Sequence, residues 1–169
     1  MNTTSLNARE IIPKSHARIT LRGRLDSLNA QIVFLQTLSE NEEYISDLEE
    51  VRAIVRELQG CEAGGKTFSG GFTLWGMTDE ELHDRSHNPE GGHILPHSDM
   101  KAEAAGLNFL RTFVREVELC AWRAFHDDEL GLCHILNRLS SALYVLTYKY
   151  LPVGYNHVLT FGKKGKSNE

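Results

Sequence analysis

Apolar residues recur along this chain at the 3.6-residue period that places them on one face of a helix. Leu21, Leu25, Leu28, Ile32 and Leu35 mark a first amphipathic helix at about 18 to 38. Ile45, Leu48, Val51, Val55 and Leu58 mark a second at about 41 to 59, with Gly60 as its stop. Thr78 with Glu81 has the capping-box spacing, and Met77 against Leu82 that of a hydrophobic staple, so a short helix is expected from 79 to near Pro89. Gly91 and Gly92 then break the pattern. Two longer helices follow at about 99 to 126, capped by Asp99 or Ser98, and at about 129 to 150. The glycine-rich stretch from 60 to 76, with Phe68, Phe72 and Trp75 interleaved, reads as a mobile loop. Helical periods joined by short connections imply an all-α fold, an up-and-down bundle of about five helices.

The two longest patterns carry polar groups beside their core stripes. In the fourth helix Leu110, Val114, Val117, Ala121 and Phe125 form the apolar stripe, and Arg111, Arg115, Glu118 and Trp122 run alongside it. Arg111 and Arg115 lie four residues apart and Arg115 and Glu118 three, so all three neighbour one another on one face. Two like charges so placed repel, and an anion between them reverses the sign. Planar guanidiniums give bidentate, charge-assisted hydrogen bonds to phosphate oxygens, so this face is either a polyphosphate fork or a solvated, ion-paired surface. In the fifth helix Leu132, Ile135, Leu136, Leu139, Leu143 and Leu146 form the core stripe, with His134, Asn137, Ser141 and Tyr144 beside it. Asn137 has the paired donor and acceptor that an adenine edge requires, and equally those that a neighbouring helix or water would satisfy.

Composition narrows the class. A chain of 169 residues is an ordinary single-domain length and buries roughly 70% of its unfolded surface without staples. It reads as one domain over residues 1 to 169, with 1 to 17 and 157 to 169, including the basic tail GKKGKSNE, expected to be flexible. A net charge of −5 argues against a broad nucleic-acid or anionic-membrane surface and leaves small molecules or proteins as partners. Cys61, Cys120 and Cys133 are scattered, which suggests free, buried thiols in a reducing compartment. With no apolar run of signal or membrane length, the cytoplasm is the default location.

Four of the eight histidines, His83, His87, His93 and His97, fall within fifteen residues. His83 and His87 have the four-residue spacing with which two imidazoles share an ion, and the Gly91–Gly92 hinge would let His93 join them. Asp84 and Arg85 interrupt the motif and it lacks the glutamate of a zinc-protease helix, so no metal site is assigned.

The run LRTFVREVE followed by LNRLSSALYVL resembles the corrinoid adenosyltransferases, which carry Arg-Thr-x-x-Arg-x-x-Glu and Asn-Arg-Leu-Ser stretches and move the adenosyl group of ATP to the cobalt of reduced cobalamin. The preceding GMTDEELHDRSHNPEGGHILPHSDMKAEAAGLNFLRT is most similar to the ethanolamine-utilisation branch, through a Leu-His-x-x-Ser-His stretch and the tetrapeptide His93-Ile94-Leu95-Pro96. The resemblance spans roughly residues 74 to 150. A fainter one lies in LRGRLDSLNAQIVFL, similar to the helix of the propanediol-utilisation type with an Asp shortly before Leu-Asn; Asp26, Leu28 and Asn29 match.

The resemblance implies the chemistry. Arg111 and Arg115 would be the catalytic pair that binds and orients ATP, Glu118 would hold them or the ribose, and Asn137 would meet the adenine. Asp26 would pair with Arg111 across a subunit boundary, in a homo-oligomer expected to be a trimer with sites between subunits. ATP carries Mg²⁺ on its triphosphate, and cobalamin is the second substrate. Such enzymes strip the lower axial ligand and hold cobalt four-coordinate, which needs apolar cover. Phe72, Trp75, Ile94 and Leu95 are the candidates for that wedge, with core packing the alternative for each. His93 or His97 would contact the corrin. The cobalt nucleophile attacks the ribose carbon bearing the triphosphate, so positioning and charge neutralisation carry the catalysis without a protein base.

Two departures keep other classes open. No glycine precedes Gly23, so the Gly- and Thr-rich ATP loop of the propanediol-utilisation type is missing, and the clustered cysteine metal motif of enterobacterial ethanolamine-branch enzymes has no counterpart here. A non-catalytic corrinoid carrier or chaperone, or a structural helical bundle, are the alternatives.

Overall fold

The computed structural model describes residues 2–7 and 10–160. Four long helices form the bundle: α1 (Ala17–Leu38), α2 (Glu42–Gly64), α4 (Ala102–Ala124) and α5 (Leu132–Lys149), with the short α3 (Asp79–His87) laid against α5. α1 packs on α2 and α4, α4 on α5, and α5 again on α2, closing the ring of four. Three two-stranded antiparallel sheets decorate it: β1 (Thr3–Asn7) with β2 (Glu10–Pro13), β3 (Thr73–Leu74) with β4 (Met77–Thr78), and β5 (His93–Ile94) with β6 (Val158–Leu159). No described helix is long and apolar enough to cross a membrane.

The stripes read from the sequence are the core. Leu21, Leu25, Leu28 and Ile32 of α1, Leu48, Val51, Val55 and Leu58 of α2, Leu110, Val114, Val117 and Ala121 of α4, and Leu132, Leu136, Leu139 and Leu143 of α5 are all buried. At the start of α2 the inward position belongs to Tyr44 rather than Ile45, with the Tyr44 ring edge-on to Tyr150 at 5.1 Å. Gly106 matters where α1 and α2 meet α4: a Cβ there would stand 2.9 Å from Leu35 Cδ2 and 3.1 Å from the Tyr44 hydroxyl. Cys61, Cys120 and Cys133 are buried free thiols. Burial, then the neighbouring Asp128 carboxylate, pushes the Cys133 thiol up to about 12, which leaves it inert as a nucleophile at neutral pH.

Helix ends show where local chemistry overrode the expected boundaries. α2 runs past Gly60 to Gly64, because the left-handed cap is Gly65 (φ 61°), whose N–H reaches the Cys61 carbonyl. The stretch expected to be a mobile loop is therefore partly helix and partly the β3–β4 hairpin. α4 starts at Ala102 after Lys101, without a side-chain cap. Asp99, one of the two expected caps, faces His97 and His157 instead. α5 starts at Leu132 rather than 129, and Asp128 supplies its cap by accepting from the Cys133 N–H (2.7 Å) and the His134 N–H (2.9 Å). The capping box on α3 fell where the pattern placed it, with Thr78 and Glu81 bonded reciprocally, and α1 (Ala17–Leu38) keeps its expected bounds to within a residue.

Short strands lie near both ends of the described chain. β1 and β2, within the stretch expected to be flexible, pair antiparallel and bury Leu6 and Ile12. At the other end β6 pairs with β5, while residues 161–169 and their basic tail lie outside the described residues.

Candidate functional site

α4 and α5 lie side by side, so the polar stripes flanking their core stripes face each other. Glu118 Oε1 accepts from Asn137 Nδ2 at 3.2 Å, joining the two helices through side chains that the sequence had marked separately. Two turns nearer the start of α4, Arg111 is half-buried, its Nε donating to Asn108 Oδ1 (3.2 Å) and its guanidinium carbon 5.6 Å from the centroid of the Tyr144 ring. Burial lowers the Arg111 pKa, the Tyr144 phenol opposes that, and the neighbouring Arg115 charge adds to the lowering. Arg115 itself is exposed. A half-desolvated guanidinium beside an exposed one is a pair that an anion stabilises, since each charge then gains a partner.

Tyr144 extends this face to the loop before α4. Its hydroxyl accepts the Ile94 N–H at 3.0 Å and lies 3.3 Å from His93 Nδ1, and the His93 ring stacks on it at 6.3 Å. Tyr148 donates to the Gly92 carbonyl (2.8 Å), with its hydroxyl oxygen 3.0 Å from that of Tyr144. Gly92 is required there. Its φ is +100°, and a Cβ would meet the Leu159 carbonyl oxygen at 2.9 Å. The sequence placed Tyr144 on the polar stripe of α5 without giving it a role; its position beside Asn137 at two helical turns was the available signal.

The expected site residues divide into those brought together and those held apart. Arg111, Arg115, Glu118 and Asn137 share the α4–α5 face, and His93 joins them through Tyr144. Asp26 is exposed on α1 and accepts from Gln59 Nε2 at 2.8 Å, so within one chain its partner is not Arg111. His97 turns the other way and stacks on His157 at 3.7 Å. Of the apolar wedge candidates, Phe72 and Ile94 are each 8% exposed and pack in the core, the alternative left open for each; Leu95 at 46% stays open. Trp75 is half-buried, tied by its backbone N–H to Glu50 Oε2 (2.8 Å) and by its indole N–H to the Asp47 carbonyl (3.3 Å). It lines a cleft of about 740 Å³ with Arg85, Tyr148 and Lys149, beside the Gly92 loop rather than at Arg111.

The histidines spaced four apart on α3 each meet other groups. The His83 and His87 rings are 4.2 Å apart, but His83 Nδ1 meets the Arg138 guanidinium, His87 Nδ1 lies 2.9 Å from the His83 carbonyl, and His93 is turned to Tyr144. Arg138 is fixed in turn by Asp79, at 2.5 Å, which also holds His134 at 3.0 Å.

Comparison with known proteins gives the family of the chain. A model of the family described as cobalamin adenosyltransferase matches residues 1–150, and the chain belongs to that family. Among curated proteins, the corrinoid adenosyltransferase EutT of Escherichia coli is 34% identical over 152 residues, covering 85% of this chain and 56% of the relative. EutT of Salmonella typhimurium is 32% identical over the same shares. The chain thus spans little more than half the length of these relatives. Among solved structures, a variant of the PduO-type ATP:co(I)rrinoid adenosyltransferase from Lactobacillus reuteri complexed with ATP superposes with a TM-score of 0.70 at 19% identity, covering 88% of this chain and 89% of that one. A second variant of the PduO-type enzyme from the same organism, complexed with cobalamin and ATP, gives 0.66 at 18% identity, with 94% and 95% covered. At these identities the likeness establishes the helical-bundle fold.

Proposed function

We propose that this chain is an ATP:cob(I)alamin adenosyltransferase, transferring the 5′-deoxyadenosyl group of ATP to the cobalt of reduced cobalamin. The observation that carries the reading is the α4–α5 face itself, where the paired arginines of α4 and the Glu118–Asn137 contact lie one side chain away from the His93 loop. Relatives named as corrinoid adenosyltransferases, and neighbours of the same fold holding ATP and cobalamin, support it.

In this mechanism Arg111 and Arg115 receive the triphosphate, neutralising charge that grows on it as the ribose C5′–O bond breaks. Asn137 turns its amide to the adenine edge while Glu118 holds that amide or the ribose. Mg²⁺ would accompany the nucleotide and supply further charge neutralisation beside Arg111 and Arg115. Reduced cobalt supplies the electron pair for the new Co–C bond and triphosphate leaves with the old one. The protein therefore positions the reactants and excludes water rather than moving protons. His93 and Leu95, on the loop that Tyr144 and Tyr148 fix to α5, contact the corrin.

The chain works as one domain in a cytoplasmic homo-oligomer, a trimer with Asp26 of one copy meeting Arg111 of the next. Exposed apolar side chains on α1 and α4, Phe34 (61%), Leu38 (66%), Phe109 (56%) and Leu119 (57%), offer the surface that another copy would cover. The test is anaerobic incubation with chemically reduced cobalamin, ATP and Mg²⁺. The expected product has an alkylcobalamin spectrum that light abolishes. Corrin binding without a photolabile product would make the chain a carrier, and no spectral change would leave a structural bundle.

A further inference from the structure

We propose that the arm following α5, residues 151–160, is the positioning element of the corrin loop, with Tyr155 and His157 as positioning residues that set the backbone of Leu95. This rests on the reading of His93 and Leu95 as corrin contacts, and it gives a role to residues beyond the 1–150 that the family model matches. The arm has a fixed root. The Tyr150 hydroxyl (2.6 Å) and Lys149 Nζ (2.7 Å) both donate to Asp47 Oδ2 on α2, a residue 7% exposed. From there a turn closed by the Tyr155 N–H on the Pro152 carbonyl, at 3.0 Å, sends the chain back toward the loop. Gly154 supplies the positive φ (82°) at the third position of that turn.

Both backbone polar groups of Leu95 are taken by the arm. Its N–H donates to the His157 carbonyl at 2.9 Å, and its own carbonyl accepts the Tyr155 hydroxyl. The Leu95 side chain nevertheless stays 46% exposed, an apolar group presented outward on a bonded backbone. Beside it β6 pairs with β5, Leu159 opposite His93 and Val158 opposite Ile94. The approach is close: a Cβ on Gly92 would stand 2.9 Å from both the Leu159 carbonyl oxygen and Thr160 Cγ2. Tyr144 and Tyr148 take the Ile94 N–H and the Gly92 carbonyl of the same loop. One continuous stretch, α5 and its arm, therefore bonds the loop at four backbone groups. A contact surface ordered before its ligand arrives loses less conformational freedom on binding.

His157 locks the arm in that place. Its Nε2–H donates to Asp99 Oδ2 at 2.9 Å, and this bond, foremost, holds the Asp99 carboxyl below the usual carboxylate range, so the contact is charge-assisted. The His157 ring stacks on His97 at 3.7 Å and meets Tyr155 edge-on at 5.4 Å. A turn closed by the Met100 N–H on the His97 carbonyl (3.1 Å), with His97 Nδ1 accepting the Asp99 N–H (3.2 Å), keeps both partners facing the arm. Arg111, by contrast, leans on Asn108 and Tyr144. Loosening the arm should therefore reach Leu95 and leave the nucleotide side of the site unchanged.

The test uses the full chain and the variants His157→Ala, His157→Gln and Tyr155→Phe, each checked for folding by circular dichroism. Amide exchange at Leu95 is read without ligand, and affinities for cob(II)alamin and for ATP are measured separately under anaerobic conditions. In His157→Ala and Tyr155→Phe the Leu95 amide should exchange faster. Cob(II)alamin affinity should fall by roughly 2- to 12-fold, the worth of one ordinary hydrogen bond, with ATP affinity unchanged. His157→Gln, whose side-chain amide can still donate to Asp99, should recover most of the loss. Unchanged Leu95 exchange, faster exchange with cob(II)alamin affinity intact, equal losses for both ligands, or no recovery in His157→Gln would overturn the proposal. A wild-type chain with no affinity for cob(II)alamin would overturn it through the contact reading on which it rests. That case is recognised because Leu95 exchange would still respond to His157→Ala.

Discussion

Arg111 and Tyr144 meet across the α4–α5 contact, the guanidinium carbon 5.6 Å from the ring centroid, and the same ring stacks on His93 at 6.3 Å. One tyrosine thus joins the helix face proposed for the triphosphate to the loop proposed for the corrin. A cation over an aromatic face gains about 0.5–2 kcal/mol depending on desolvation, enough to hold the half-buried guanidinium in one place before any ligand arrives.

Arg111→Ala removes the more buried of the two guanidiniums. Hydrogen bonds to charged groups are worth about 1.5–3 kcal/mol, so ATP affinity should fall by roughly 10- to 150-fold in calorimetric titration, with the thermal unfolding midpoint little changed. Unaltered ATP affinity in a folded variant would remove the role assigned to Arg111.

Tyr144→Phe keeps the ring and deletes the hydroxyl that accepts the Ile94 N–H. That buried donor is then unsatisfied, at about 1–3 kcal/mol, and the His93 loop should loosen. Faster amide exchange at Ile94, weaker corrin binding and near-normal ATP binding are the expected set. Equal losses for both ligands would show that the hydroxyl serves the bundle as a whole.

The stripes of α1, α4 and α5 were legible because burial on one helix face leaves a 3.6-residue period that needs no partner to be read. So were Arg111, Arg115, Glu118 and Asn137 as a group, since neighbours on one face follow from spacing and the facing helix from its own stripe. What the spacing did not carry was anything decided by long-range pairing. His97 and Asp99 meet His157 through the β5–β6 pairing, and Glu62 meets Arg18 and Arg22 across two helices. The caps at Asp128 and Gly65 were missed for a different reason, because backbone turns several residues beyond the apolar stripe placed them. Phe72 and Trp75 looked like loop aromatics until the β3–β4 hairpin folded them inward.

Glu62 offers a stability prediction that leaves the site untouched. It is 1% exposed and accepts from Arg18 Nε (3.1 Å) and Arg22 Nε (2.7 Å), with Arg18 also donating to its carbonyl (2.6 Å). Breaking a buried ionic cluster by removing one partner costs roughly 3–5 kcal/mol. Glu62→Ala should fall toward the lower end, because the arginine side chains keep 20% and 32% exposure. Urea unfolding measures it, and a loss below about 1 kcal/mol, the range of exposed pairs, would contradict the burial argument.

The α3 cap gives a pH dependence. The Thr78 backbone N–H, then its hydroxyl, hold the Glu81 carboxyl below its ordinary pKa. A group whose folded pKa is depressed stabilises above its unfolded value and loses that contribution as pH falls through the folded one. Stability of α3 should therefore drop on acidification below the usual glutamate range, and Glu81→Gln should flatten that part of the profile. An identical acid limb in both proteins, read by amide exchange in α3, would show that Glu81 does not act through the cap.

The most direct measurement of the central claim follows atoms. With ATP labelled in its adenosine, reduced cobalamin and this protein under anaerobic conditions, label should move to the corrin fraction while triphosphate appears in equal amount, and Arg111→Ala should slow both together. Corrin bound at equilibrium while the label stays in ATP and no triphosphate is released would contradict adenosyl transfer.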